Sequence, residues 1–220
     1  MIFIHFFSFG QNNVYIDAPF VGLPSRDMDV REIDSLKQLP PNILFTINQL
    51  FSISMTDFVN NIVFIKGQIV DIEGWAAKDS TFQEENKFVI PKYELFFELR
   101  DTTISIKRYC FDVSLNQYGQ ITNFQWPREG FNKRAHFATG TALKKEAIKC
   151  ALKKNYNTKE CLYELLFDDH NQRLRWYISF LQTRKGSQFN YYEEYKTLIF
   201  DVLSKDFVGE MEMFKTAIAD

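Results

Sequence analysis

The side chains best placed to do chemistry together are Asp168, Asp169 and His170, where two carboxylates and an imidazole are adjacent. A metal ion or a general acid and base would need such groups to converge. The triplet falls between two runs of alternating apolar residues, 161–167 and 173–181, and at such a junction Asp is chosen for turn geometry. A hairpin turn therefore accounts for it. His5 lies in an apolar start, and His136 has no Cys, His or carboxylate at ligand spacing, so no metal ligand is assigned.

Nucleophilic and nucleotide chemistry have no linear signature either. There is no Gly-x-Ser-x-Gly, no Cys with a local catalytic signature, and no glycine-rich phosphate loop among nine scattered glycines. No catalytic or cofactor-binding residue is assigned, and no cofactor is expected. Triads assemble in space, so an enzyme whose groups meet only in the fold stays open. Cys110, Cys150 and Cys161 contain no CxxC pair and are too few for a disulfide scaffold. They read either as three buried thiols or as one bridge, for which Cys150 and Cys161 are the better partners because a helix would be tethered to the strand after it.

Two groups of side chains suit recognition instead of catalysis. Lys144, Lys145, Lys149 and Lys153 share the wet side of an amphipathic segment, where they serve as a solvated face or as a contact for an acidic partner. Tyr191 and Tyr192 border a polar turn and offer an exposed contact. Trp176 sits inside an alternating run and reads as core.

The elements that must position these residues follow from periodicity. After Pro40 and Pro41, the residues Ile43, Ile47, Leu50 and Phe51 recur on one helical face. Residues 62–72 are rich in β-branched side chains and predict a strand, with Gly67 marking a bulge or a close backbone approach. Tyr93, Leu95 and Phe97 alternate, as do Tyr109, Phe111, Val113 and Leu115. Asn116, Gln117, Tyr118 and Gly119 turn the chain into a return strand through Ile121, Phe124 and Trp126, ended by Pro127. Leu143, Ala147, Ile148, Ala151 and Leu152 predict a second helix, with Thr141 as its N-cap. Strands are predicted at 161–167, 173–181 and 195–202, joined by turns at 168–172 and 184–190. Between these elements, 76–87 reads as a polar loop and 128–140 as a connector. Residues 11–41 read as an extended lead-in, in which Val30, Ile33 and Leu36 fit a short helix between Asp29 and Lys37.

The predicted class is α+β, a helix packed on an antiparallel sheet, in two tandem units of that kind. A β-rich N-terminal domain covers 42–127 and a helix-plus-sheet domain covers 141–220. A chain of 220 residues that is 45% hydrophobic has the material for both cores, and 23 Phe with 10 Tyr favour sheet faces. The formal charge of -2 exerts no global pull on nucleic acid, and none is expected as a partner. Basic charge is concentrated over 131–185, with 12 Lys and Arg against 5 Asp and Glu.

The first ten residues are almost wholly apolar and precede a polar stretch at Gln11, with Ser8 and Gly10 as the small residues of an export-peptidase site. A secretion signal over 1–10 departs from the pattern in having no Lys or Arg after Met1 and a short apolar run, and a buried N-terminal strand is the other reading. No apolar run reaches the length of a membrane-spanning helix.

The segment 141–213 resembles PepSY-like domains, exported bacterial modules with one helix on a small antiparallel sheet. The matching residues are the helix from Lys145 to Leu152, the strand Arg173-Leu174-Arg175-Trp176-Tyr177-Ile178, and Leu198-Ile199-Phe200-Asp201 followed by Gly209-Glu210, at a longer spacing than the family's. The resemblance implies a periplasmic or secreted protein that binds or shields a protein or peptide, with inhibition suggested for some members, and it carries over no catalytic residue. A cytoplasmic interaction protein, such as one that neutralises a toxin, and a hydrolase with a spatially assembled site are the rival expectations.

Overall fold

The computed structural model describes residues 6–9, 13–16, 29–78, 91–128, 130–186 and 191–217. The fold is α+β, and the chain divides into two compact units, each with a helix and a largely antiparallel sheet. The first comprises Met1–Leu99 with Cys110–Gln125, and the second comprises Arg100–Tyr109 with Trp126–Asp220.

The first unit is built on strands β1 (Phe6–Phe9), β2 (Asn13–Ile16), β3 (Val30–Ile33), β4 (Ile62–Val70), β5 (Tyr93–Asp101), β6 (Ile106–Leu115) and β7 (Ile121–Phe124), in the order β1-β2-β7-β6-β5-β4-β3. Pairing is antiparallel at β1–β2, β3–β4, β4–β5 and β6–β7, while β2 meets β7 in parallel with Tyr15 opposite Ile121. Helix α1 (Pro41–Ser54) begins with Pro41, whose missing N–H would have had no intrahelical partner at that position. It buries Ile43, Ile47, Leu50 and Phe51, the face expected from their spacing. The Phe51 ring stands edge-on to Phe97 at 4.9 Å, and Phe97 stacks on Phe111 at 5.6 Å.

Gly67 is a close approach, as expected. A Cβ there would lie 2.7 Å from Leu95 Cδ2 and 3.0 Å from the Glu94 carbonyl oxygen. The register shift of β4 falls between Phe64 and Lys66, just before it. In the turn after β6, Asn116 is fully buried and its Oδ1 accepts from the Tyr118 and Gln120 amides. Gly119 has φ +78° beneath Ile43, a conformation that costs a glycine little.

Several expectations for this half are corrected. The helix expected from Asp29 to Lys37 is β3 followed by a single 3-10 turn, Leu36–Gln38. Ile33 pairs with Gly67 and is buried against it, while Val30 is exposed, so no common helical face exists. Ser35 and Gln38 then close a capping box that fixes the turn. The lead-in 11–41 is accordingly sheet for part of its length, since both β2 and β3 fall within it. The loop expected from residue 76 is preceded and partly occupied by helix α2 (Ile72–Lys78), whose start is capped by Asp71 accepting from the Gly74 amide at 3.0 Å. The rest of that loop lies outside the described residues. Of the apolar start, Phe6–Phe9 forms β1, and the expected cut before Gln11 lies outside the described residues, as does His5.

The second unit contains helix α3 (Gly140–Lys153) and strands β8 (Cys161–Asp168), β9 (Arg173–Gly186), β10 (Tyr191–Asp201) and β11 (Phe207–Ala217). The sheet order is β11-β10-β9-β8, antiparallel throughout. The helix lies against β8, β9 and β10 and buries Leu143, Ala147 and Ala151, a narrower stripe than expected because Leu152 is exposed. Its N-cap is Thr139, which accepts from the Ala142 amide, and not Thr141. Gly140 is the first helical residue where it passes the rings of Tyr163 and Trp176, and a Cβ there would stand 3.0 and 3.1 Å from them. Ser105 Oγ then serves the exposed Thr141 amide.

Residues 128–140 are not a connector. Phe131, Phe137 and Ala138 are buried, Trp126 stacks on Phe137 at 5.9 Å, and Phe131 meets Phe137 edge-on. These residues are core of the second unit, which also takes Arg100–Tyr109, so the expected border near 127 gives way to an interleaved one. Strand β11 extends the expected three-strand set to four.

Candidate functional site

Asp168, Asp201, Glu193 and Asp101 each have a structural duty. Asp168 closes the β8–β9 turn by accepting from Asn171, and its Oδ2 is 3.0 Å from Arg175 Nε. Burial raises the Asp168 carboxyl, but the Asn171 side chain and amide outweigh it and leave it below the usual carboxylate range. Asp169 and His170 stand in the turn, with His170 exposed, as the hairpin reading expected. Asp201 ends β10, where it accepts from the Leu203 and Ser204 amides and pairs with Arg173. Glu193 accepts from Arg184 and from the hydroxyl of Tyr195, and burial followed by that carboxylate pushes the Tyr195 hydroxyl up to about 12. Among the described residues no three His, Cys, Asp or Glu side chains are grouped as metal ligands would be.

Asp101 is the most consequential of these groups. It is 2% exposed, accepts from the Thr103 amide at 3.0 Å and hydroxyl at 2.5 Å, and meets Arg134 Nε at 2.5 Å. Burial raises its carboxyl, yet Thr103 and Arg134 together hold it below its ordinary value. A depressed folded value means that its stabilisation is present above the unfolded value of about 3.9 and is lost as pH falls through the folded one. Asp101→Asn is expected to cost about 1–3 kcal/mol at neutral pH, with the Arg134 share reduced by solvent screening. Urea unfolding across an acid pH series should show that deficit shrinking below pH ~4. A deficit unchanged by pH would contradict the assignment. Glu94 in the first unit has the opposite sign: burial pushes its carboxyl up, the Asp112 charge adds to it, and the Gln68 amide only partly offsets both.

The expected contact residues stand on different elements. Lys145, Lys149 and Lys153 are exposed on α3 and Lys144 is half-buried, with Lys149 paired to Glu146. Tyr191 and Tyr192 open β10 and are half-buried, and Tyr192 stacks on Phe214 of β11 at 5.8 Å. The cysteines are free: Cys110 is exposed, while Cys150 and Cys161 are half-buried. Trp176 is core, 1% exposed, with its indole N–H donating to the Ala138 carbonyl at 3.0 Å.

The structure adds a cleft of about 310 Å³ beside β8, lined by Ser105, Lys107, Tyr163, Glu164, Trp176 and Lys215 among others. One wall is residues 105–108, which enter by way of Ser105 in the left-handed region at φ +71°. The other wall is β8, joined by Trp176 of β9 and Lys215 of β11. Among the described residues β8 pairs with β9 alone, so its second edge lies on the cleft side with no sheet partner. The register places Cys161, Tyr163 and Leu165 opposite Phe180, Ile178 and Trp176, on the face that carries α3. Leu162, Glu164 and Leu166 alternate to the other face, where Leu162 is 47% and Leu166 39% exposed. Lys107 Nζ sits 5.5 Å from the centre of the Tyr163 ring. The cleft thus offers a strand edge, a row of apolar side chains, an aromatic ring and charges of both signs.

No family model, curated protein or solved structure matches the chain. Fold and surface chemistry therefore carry the functional reading. None of the described helices is long and apolar enough to cross a membrane. Sequence reasoning missed the cleft because its walls lie some fifty positions apart in the chain, and no local pattern announces that residues 105–108 face residues 161–165.

Proposed function

We propose that this protein is a non-enzymatic binding module that captures an extended peptide segment along the free edge of β8. The observation that carries this reading is the cleft between residues 105–108 and β8, which combines a strand edge without a sheet partner among the described residues with Leu162, Tyr163 and Lys107. A peptide added there gains main-chain hydrogen bonds from the edge, and its alternate side chains are selected by the apolar row and the flanking charges. The basic excess over 131–185 favours a segment carrying acidic residues beside its apolar ones.

Panning a random peptide display library on the protein provides the test. Enriched sequences should alternate apolar residues, and Leu162→Lys, at an exposed position, should weaken their binding about tenfold or more by fluorescence anisotropy. Failure to enrich any sequence, or equal binding by the variant, would overturn the reading.

The compartment proposed with it is the bacterial envelope, by resemblance to PepSY-like modules. That resemblance is supported by the element order of the second unit, one helix followed by antiparallel strands. Sequencing the mature N-terminus after expression with the native upstream region tests it: a start at Gln11 supports export, and an intact Met1 recovered from the cytosol contradicts it.

A further inference from the structure

The backbone of β8 sorts its residues into two sets. The Leu181 amide donates to the Glu160 carbonyl at 3.1 Å, and this pair continues the β8–β9 register in which Cys161 lies opposite Phe180. Hydrogen-bonded pairs recur at every second residue of an antiparallel ladder, so Leu162, Glu164 and Leu166 direct their N–H and C=O groups at β9. Cys161, Tyr163 and Leu165 turn theirs outward, to the edge that has no sheet partner among the described residues. These three also line the cleft. A strand laid along the edge therefore bonds to Cys161, Tyr163 and Leu165.

Side chains directly opposite each other in a sheet share a face, so ligand residues opposite Tyr163 lie on the α3 face and those opposite Leu162 and Glu164 lie on the other. The two faces of the cleft differ in charge. On the α3 face stands Lys107, exposed, with Nζ 5.5 Å from the centre of the Tyr163 ring and no ion pair to a described residue. On the other face Leu162 is exposed, and Glu164 and Lys215 bring one charge of each sign. Lys215 belongs to that face because it lies over Tyr195, which alternates with Lys196, the partner of Phe180 on the α3 side. Arg108, which also lines the cleft, is already engaged within the protein. The uncompensated charge of the cleft is the Lys107 ammonium.

We propose that the segment captured here alternates acidic and apolar residues, with a carboxylate opposite Tyr163 that pairs with Lys107 and an apolar side chain opposite Leu162. This assignment rests on peptide capture at β8 and names the residue that selects the ligand. A carboxylate on the α3 face meets a cation with no competing acid in the lining, whereas on the other face it would meet Glu164 as well as Lys215. For an added antiparallel strand, Leu162 is a position whose Cα lies about 4.5 Å from its partner, the spacing at which side chains pack closest. The group that reads the acid thus sits in residues 105–108 and outside the basic stretch 131–185.

Fluorescence anisotropy of the full chain with two labelled synthetic peptides, one alternating Glu with Val and one alternating Lys with Val, tests the assignment. The Glu-Val peptide should bind about tenfold or more tighter than the Lys-Val peptide. Lys107→Glu, at an exposed position, should reverse that order, a gain for the Lys-Val peptide that a misfolded variant could not give. Lys215→Glu should leave the order unchanged. An order that survives Lys107→Glu, or one that Lys215→Glu reverses, would overturn the assignment, while loss of binding in Leu162→Lys would still uphold capture at β8. Binding of neither peptide would overturn it too, and the display-library result then shows separately whether β8 captures peptides at all.

Discussion

Trp176→Ala is expected to cost about 3–5 kcal/mol, the range for emptying a large aromatic from a packed core. The ring is 1% exposed, meets Tyr163 edge-on at 5.8 Å, and fills the space that only a glycine at 140 leaves open. Its indole N–H also holds the Ala138 carbonyl, and the Ala138 amide in turn donates to the Val202 carbonyl at 2.8 Å. Truncation therefore creates a cavity and orphans a buried acceptor, which are separate penalties. Trp176→Phe keeps most of the ring but loses the N–H, and about 1–3 kcal/mol is expected for it. Urea denaturation followed by circular dichroism measures both. An alanine variant within about 1 kcal/mol of the parent would mean that Trp176 does not tie residues 126–140 to the sheet.

The second large effect belongs to the first unit. Phe97→Ala removes the hub of a ring cluster, since Phe97 is 1% exposed and contacts Phe51 at 4.9 Å, Phe64 at 5.5 Å and Phe111 at 5.6 Å. The expected loss is again about 3–5 kcal/mol. Each aromatic pair adds about 0.5–1.5 kcal/mol beyond area burial, and these terms overlap because one ring serves all three. Phe97→Leu should retain much of the apolar volume and lose far less. Equal losses for Ala and Leu would show that ring geometry, not burial, carries the contribution.

Periodicity revealed those elements whose buried face repeats regularly. The four positions expected to share one face of α1 are its four buried apolar residues, and β5, β6, β8, β9 and β10 follow runs of alternating or β-branched residues. Elements whose burial is set by one neighbour were misread. β3 is a strand because Ile33 lies over Gly67, a contact with no local signature, and Val30, Ile33 and Leu36 happened to match a helical spacing. Thr139 caps α3 two residues earlier than Thr141 because Gly140 can enter the helix against Tyr163 and Trp176.

The burial within residues 128–140 has no local signature for a related reason. Phe131 and Phe137 enter the core from irregular backbone, where neither period two nor period 3.6 applies. β11 escaped as a full strand because Phe207, Val208, Met211 and Phe214 are exposed apolar residues, so its pattern does not separate a wet face from a dry one. The turn role of Asp168 and the core role of Trp176 were legible. The cleft was not, since it depends on where the chain brings residues 105–108.

The proposed peptide-binding surface is the β8 edge. Amide hydrogen exchange of the full chain with and without a library-enriched peptide tests it most directly. Slowed exchange confined to Cys161–Asp168 and residues 105–108 is the expected result. Protection that falls elsewhere, on the α3 lysines or in the first unit, with β8 unchanged, would contradict the account.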